Sequence, residues 1–94
     1  MRDKPTICII DGRLSKGRWL AHPLNVLIEY DDGEVVVSEP RFHMHASAPT
    51  EAEAIEAFRR VFSGYLDVLT AQEATLGSSL REQLEYLRSC IRTA

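Results

Sequence analysis

The chain of 94 residues is long enough for one hydrophobic core and too short for two, so we expect a single domain over residues 1–94. Its composition, 45% hydrophobic and 27% charged, excludes a disordered or fibrous chain. The formal net charge of -3, without a basic run, argues against direct nucleic-acid binding by this chain.

The first residues of the chain hold only a short apolar run, residues 7–10. This run is below the length of a signal peptide's apolar segment or of a membrane span, so we expect a cytoplasmic protein without a membrane partner. The two cysteines, Cys8 and Cys90, lack the density and spacing of a disulfide framework or a zinc site. We therefore interpret both as reduced core thiols.

Two hairpins are predicted in the first part of the chain. The β-branched run over residues 6–10 ends at Asp11-Gly12, a dipeptide typical of tight turns, and predicts a strand that turns back along residues 13–20. Residues 24–30 alternate in polarity, and the turn residues that follow join them to the strong β-formers of residues 34–37.

A further strand and a long helix follow. After Pro40, alternation over residues 41–47 predicts a short strand at a sheet edge. Thr50 and Glu53 have the spacing of a capping box, which predicts that a helix begins at Thr50. Its apolar residues recur at three- and four-residue steps and form one stripe, composed of Ile55, Phe58, Phe62, Tyr65, Leu66 and Leu69. We expect this stripe to pack on one face of the sheet.

A second, C-terminal helix is predicted over residues 78–94, with Ser79 and Glu82 as its capping box. It carries four apolar residues spaced like a coiled-coil seam: Leu80, Leu84, Leu87 and Ile91. Two alternatives remain open, because the helix either folds back on its own domain or mediates self-association into a homo-oligomer. The predicted fold is thus α+β, an antiparallel sheet of three to four strands with one amphipathic helix on one face and this second helix.

Two histidines are the candidates for a metal-binding or catalytic site. His43 and His45 are two residues apart, which places both imidazoles on one face of a strand, and His22 joins them only if the fold brings it there. One alternative is therefore a small enzyme or metal-binding domain that uses His43 and His45. The other, which we favour, is that both are solvent-facing edge residues, because no cysteine or fixed carboxylate spacing accompanies them.

Other candidate sites have ordinary structural interpretations. The acid pairs Asp31-Asp32 and Glu51-Glu53 fit a turn and a helix start, and no nucleophile elbow or phosphate-binding loop is present. Trp19, close to Lys16 and Arg18, is a candidate to stack on a base or to anchor a protein partner, but we favour a buried or lid-forming tryptophan. We therefore do not expect an enzyme.

The order of these features resembles the HicB-like antitoxin domain. The resemblance covers residues 24–69 and rests on the Asp32-Gly33 hairpin, the strand ending at Pro40, the segment Thr50-Glu51-Ala52-Glu53-Ala54-Ile55 and the Tyr65-Leu66 pair. It implies a noncatalytic protein-binding module without a cofactor, which is either an antitoxin-like partner that masks a small toxin ribonuclease or an orphan relative retained without one. The DNA-binding segment of many members has no counterpart in residues 80–94. As partner-contacting residues we expect Arg41, His43 and His45.

Overall fold

The computed structural model describes residues 5–15, 17–41 and 43–93. The predicted α+β fold is confirmed. In chain order the elements are β1 (Thr6–Ile10), β2 (Arg18–Leu20), β3 (Leu24–Asp31), β4 (Glu34–Glu39), β5 (Met44–Ala48), α1 (Glu51–Ala71), a short 3-10 turn (Glu73–Thr75), α2 (Ser78–Cys90) and β6 (Ile91–Thr93).

The main sheet is antiparallel and has four strands in the order β1-β3-β4-β5. The hairpin predicted at Asp11-Gly12 is therefore wrong, because β1 pairs with β3, with Ile10 opposite Leu24. Gly12 does adopt a positive φ of 85°, but there the chain leaves the sheet. Between Gly12 and β2 the Leu14 N–H donates to the Arg18 carbonyl at 2.8 Å, and Arg13 forms an isolated bridge with Trp19.

A second, two-stranded sheet joins β2 to β6, and the sequence did not predict it. Leu20 lies opposite Ile91, and the Ala21 N–H donates to the Cys90 carbonyl at 2.8 Å. The C-terminal helix is accordingly shorter than expected: it ends at Cys90, and Ile91 belongs to a strand.

The hairpin of β3 and β4 is confirmed. Its two central residues have positive φ angles, 52° at Asp32 and 82° at Gly33, which is the signature of a type I′ turn. The predicted edge strand is also present as β5, with Met44 and Ala46 buried and His45 exposed. Phe42, which we placed in this strand, lies outside the described residues.

Helix α1 begins where its cap predicts. The Thr50 hydroxyl oxygen accepts the Glu53 N–H at 3.2 Å, and the hydroxyl donates to the Glu53 carboxylate at 3.0 Å in place of the expected bond to the Thr50 amide. The helix packs on β4 and β5, and the rings of its completely buried Phe58 and Phe62 stack with centroids 5.6 Å apart. Burying each ring contributes about 1.5–3 kcal/mol, so packing outweighs the cap of about 1 kcal/mol.

Helix α2 begins at Ser78, the predicted first residue, but the capping box predicted at Ser79 and Glu82 is wrong. Gly77 occupies the N-cap position and no side chain caps the helix, so Ser79 already lies within the first turn. The helix packs against α1 and completes the core with Leu84 and Leu87, both completely buried. Neither helix is long and apolar enough to cross a membrane, within the part of the chain that the structure describes.

Candidate protein-binding site

A cleft of about 560 Å³ runs between the free edge of β5 and the outer side of α1, and we call it the β5–α1 groove. Its floor and walls come from β5 and the residue before it, from α1 and from one position of α2. The lining residues are His43, Met44, His45, Val61, Gly64, Tyr65, Val68 and Gln83.

The register of the sheet decides which backbone groups of β5 face this groove. In a two-residue turn the flanking residues, here Asp31 and Glu34, form a hydrogen-bonded pair, and such pairs alternate along antiparallel strands. The residues of β4 that bond to β3 are therefore 34, 36 and 38, whereas residues 35, 37 and 39 bond to β5. It follows that His45 and Ser47 present their N–H and C=O groups to the free edge.

The helix wall of the groove is apolar and partly exposed. Val61 and Val68 are seven residues apart, hence on one face, and have 41% and 50% of their surface exposed. Tyr65 lies between them and is half-buried. Within the described residues, no further backbone–backbone hydrogen bond engages the outward groups of His45 and Ser47, and those of His45 lie across the cleft from this apolar wall.

Gly64 lies in the middle of α1 and lines the same groove. A Cβ atom added there would meet nothing within 4 Å, and its φ is not positive, so the isolated chain does not require glycine at this position. A glycine in a helix interior costs about 0.5–1 kcal/mol relative to alanine. The missing side chain widens the cleft where another backbone would approach.

The structure brings two of the three predicted contact residues into this groove. His43 and His45 are exposed and line it, with the Nδ1 atom of His45 3.2 Å from the His43 carbonyl oxygen. His43 has a φ of 61°, which turns the chain into β5. Arg41 lies outside the lining: its guanidinium stacks over the ring of Tyr86, 5.0 Å from the centroid.

The lining residues of the groove include no carboxylate. Their polar side-chain groups are two imidazoles, the Tyr65 hydroxyl and the Gln83 amide. A partner segment with apolar side chains and nearby carboxylates therefore meets no like charge at the lining.

A buried polar cluster lies beside Arg41, and it was not predicted from the sequence. Glu39 is 2% exposed, and its carboxylate accepts the Arg41 N–H at 2.8 Å and the Tyr86 hydroxyl at 3.4 Å. Burial raises the pKa of Tyr86 well above its ordinary value, and the nearby Cys90 and Glu39 add to the effect, so the hydroxyl remains a donor. The available signal was the alternation of Val35, Val37 and Glu39, which points all three side chains inward.

The other candidate residues are engaged elsewhere or exposed. Arg18 donates to the Ser63 carbonyl at 2.8 Å and forms an ion pair with Asp67, so it links β2 to α1. The side chain of Trp19 is 36% exposed. Lys16 lies outside the described residues. His22 does not line the groove; its Nδ1 atom is 3.2 Å from the Pro23 carbonyl oxygen.

The remaining acids and cysteines form no compact site in the structure. Both acid pairs are exposed, and among the described residues no three His, Cys, Asp or Glu side chains are grouped as metal ligands are. Both cysteines are free thiols: Cys90 is buried, and Cys8 is half-buried at the rim of the core.

Three of the four residues considered for self-association lie in the core of the single chain. Leu84 and Leu87 are completely buried and Ile91 is 8% exposed, whereas Leu80 is 37% exposed. Leu84, Leu87 and Ile91 pack α2 and β6 onto the rest of the domain. This arrangement corresponds to the alternative in which the helix folds back on its own chain.

No family model, curated protein or solved structure matches this chain.

Proposed function

We propose that this chain is a noncatalytic protein-interaction domain of HicB-like antitoxin type, which acts in the cytoplasm and binds a small, toxin-like protein partner in the β5–α1 groove. The observation that carries the proposal is the free edge of β5 beside a partly exposed apolar helix face. No cofactor takes part in this binding.

Strand addition is the binding mode that this geometry supports. An extended segment of the partner would lie about 4.8 Å from β5 and bond to the N–H and C=O groups of His45 and Ser47. Every second side chain of that segment would then turn towards α1 and contact Val61, Tyr65 or Val68. Main-chain bonds supply affinity in this mode, while the side-chain contacts supply specificity.

The groove also suggests the composition of the segment. Apolar residues at alternate positions fit the helix wall, and carboxylates beside them suit the two imidazoles. Gly64 leaves room for the segment to approach α1 closely. We expect this segment to be a sheet-edge strand or a terminus of the partner, since both offer free backbone groups.

The test uses Ser47→Pro, which removes an N–H group that faces the free edge and leaves the bonds from β5 to β4 intact. Ser47→Ala is the matched control because it retains this N–H. The wild type is first used to recover one stoichiometric small protein by pull-down from native lysate, and that protein is then purified and titrated against each variant by calorimetry. We expect Ser47→Pro to weaken binding by about tenfold or more, with Ser47→Ala close to wild type.

Two results would contradict the proposal. One is equal affinity of the Ser47→Pro and Ser47→Ala variants for the partner while both remain folded by circular dichroism. The other is stoichiometric, tight zinc binding by the partnerless protein that disappears in His43→Ala and His45→Ala, which would favour the metal-binding alternative.

A further inference from the structure

The opposite edge of the main sheet is formed by β1, and it carries the two most exposed large apolar residues among those described. Ile7 is 69% and Ile9 is 67% exposed. Both side chains point to the sheet face away from α1, because Ile10 on the same strand is buried on the helix side.

The register shows that these two residues also hold the free backbone groups of this edge. Residues 27, 29 and 31 of β3 bond to β4, so residues 24, 26 and 28 bond to β1, opposite Ile10, Cys8 and Thr6. Ile7 and Ile9 consequently direct their N–H and C=O groups away from the sheet. Within the described residues, no other backbone–backbone hydrogen bond engages them, and the Ile9 carbonyl accepts only a long contact from the Cys8 thiol, with 3.9 Å between sulfur and oxygen.

Within Thr6–Ile10, after Pro5, this edge lacks the features by which sheet edges usually avoid pairing. Residues 6–10, Thr-Ile-Cys-Ile-Ile, include no charge, proline or glycine, and the pairing with β3 is regular, without a bulge. The edge of β5, by contrast, begins beside a histidine in an unusual backbone conformation and is flanked by α1.

We infer that β1 pairs with β1 of a second copy of this chain, antiparallel and with the two-fold axis at Cys8. Ile7 then lies opposite Ile9 of the second copy, Cys8 opposite Cys8, and Thr6 opposite Ile10. Because Ile7 and Ile9 hold the outward-facing backbone groups, each Ile7–Ile9 pair exchanges two hydrogen bonds in this register. The same register gathers four isoleucines on one face of a continuous eight-stranded sheet.

A second copy suits this edge because an isologous contact needs a surface that complements itself. The register places isoleucine beside isoleucine, and it sets no like charges opposite each other although each chain carries a net charge of -3. The two β5–α1 grooves remain open at the outer edges of the joined sheet. The pairing therefore does not depend on the proposed function and leaves both partner sites free.

The small area of the β1–β1 contact limits the affinity of the dimer. Five residues of strand form an edge about 17 Å long, which covers much less than the roughly 800 Å² per partner of a standard stable interface. We therefore expect a transient dimer with a Kd on the order of 10⁻⁴ M, populated only at high protein concentration.

Two charged double variants test the inference and its register. Ile7→Lys with Ile9→Lys places lysine opposite lysine in the proposed pairing, whereas Ile7→Lys with Ile9→Glu places lysine opposite glutamate. Both positions are exposed, so both variants should fold. Dimerisation is measured by sedimentation equilibrium at protein concentrations up to about 1 mM, a range set by the expected Kd. We expect the wild type and the Lys/Glu variant to dimerise, and the Lys/Lys variant to dimerise at least about tenfold more weakly.

Oxidation of the thiols gives a second measurement. Diamide takes two electrons and two protons from two thiols, and in the proposed register the Cys8 Cα atoms are about 4.5 Å apart, within the range of about 4.4–6.8 Å for a disulfide. A cross-linked dimer should form in Cys90→Ser and not in Cys8→Ser. A wild type that stays monomeric at about 1 mM, or a Lys/Glu variant as weak as Lys/Lys, would overturn the inference.

Discussion

Gly64 occupies an interior position of α1 where alanine would stabilise the isolated chain. Because a Cβ atom there meets nothing within 4 Å, we predict that Gly64→Ala raises the free energy of unfolding by about 0.5–1 kcal/mol, measured by urea denaturation. Gly64→Leu should also fold but place its side chain in the groove and weaken partner binding. Loss of stability in Gly64→Ala would show that the backbone at Gly64 packs more closely than the structure indicates.

A surface ion pair gives a residue-level prediction of pH dependence. The Arg88 guanidinium donates to the Glu73 carboxylate at 2.7 and 3.0 Å and holds the pKa of Glu73 below its ordinary value. A lowered pKa in the folded state means that the stabilisation is fully present above the unfolded value of about 4.3 and is lost as the pH falls through the lowered one.

We therefore predict that wild type is more stable than Glu73→Gln at pH 6 and that this difference shrinks below about pH 4, where the carboxylate becomes protonated. Thermal unfolding followed by circular dichroism at several pH values measures it. The difference should be small, because the pair is exposed and screened by salt. A difference that grows on acidification would mean that the pair does not stabilise the folded state.

At the scale of elements, α2 offers a matched pair of substitutions. Leu84 is completely buried and Leu80 is 37% exposed, although both belong to the same apolar stripe. We predict that Leu84→Glu abolishes folding, since it buries an unpaired carboxylate, whereas Leu80→Glu changes stability by no more than about 0.5 kcal/mol. Circular dichroism and urea unfolding distinguish the two. A folded, monomeric Leu84→Glu variant would instead place α2 outside the core.

The elements that the sequence predicted well are those with local signals. Asp32-Gly33 specifies the turn between β3 and β4, and Thr50 with Glu53 specifies the start of α1, because each signal acts within a few residues. The partner of β1 was predicted wrongly since the turn at Gly12 fixes where the chain bends and not which strand it meets. The pairing of β2 with β6 joins distant segments, and three residues carry too little periodicity to show it.

The candidate site was predictable only in part for a similar reason. Pro40 and the alternation after it placed His43 and His45 at an edge, and both line the groove. Val61 and Val68 were not singled out, because a helix face that is apolar without being buried looks like additional core in a sequence. Arg41 was expected at the same edge but turns towards Tyr86, a contact between segments far apart in the chain.

At the scale of the whole molecule, the two sheets differ in how far apart in the chain their strands lie. In the main sheet β3, β4 and β5 follow one another, whereas the small sheet pairs Arg18 with Thr93 and Leu20 with Ile91. Closing a long loop costs more chain entropy than closing a short one, and it must be complete before those pairs contribute. We therefore expect the three-strand meander with α1 to form first during folding and β6 to dock late, onto a chain that is already collapsed.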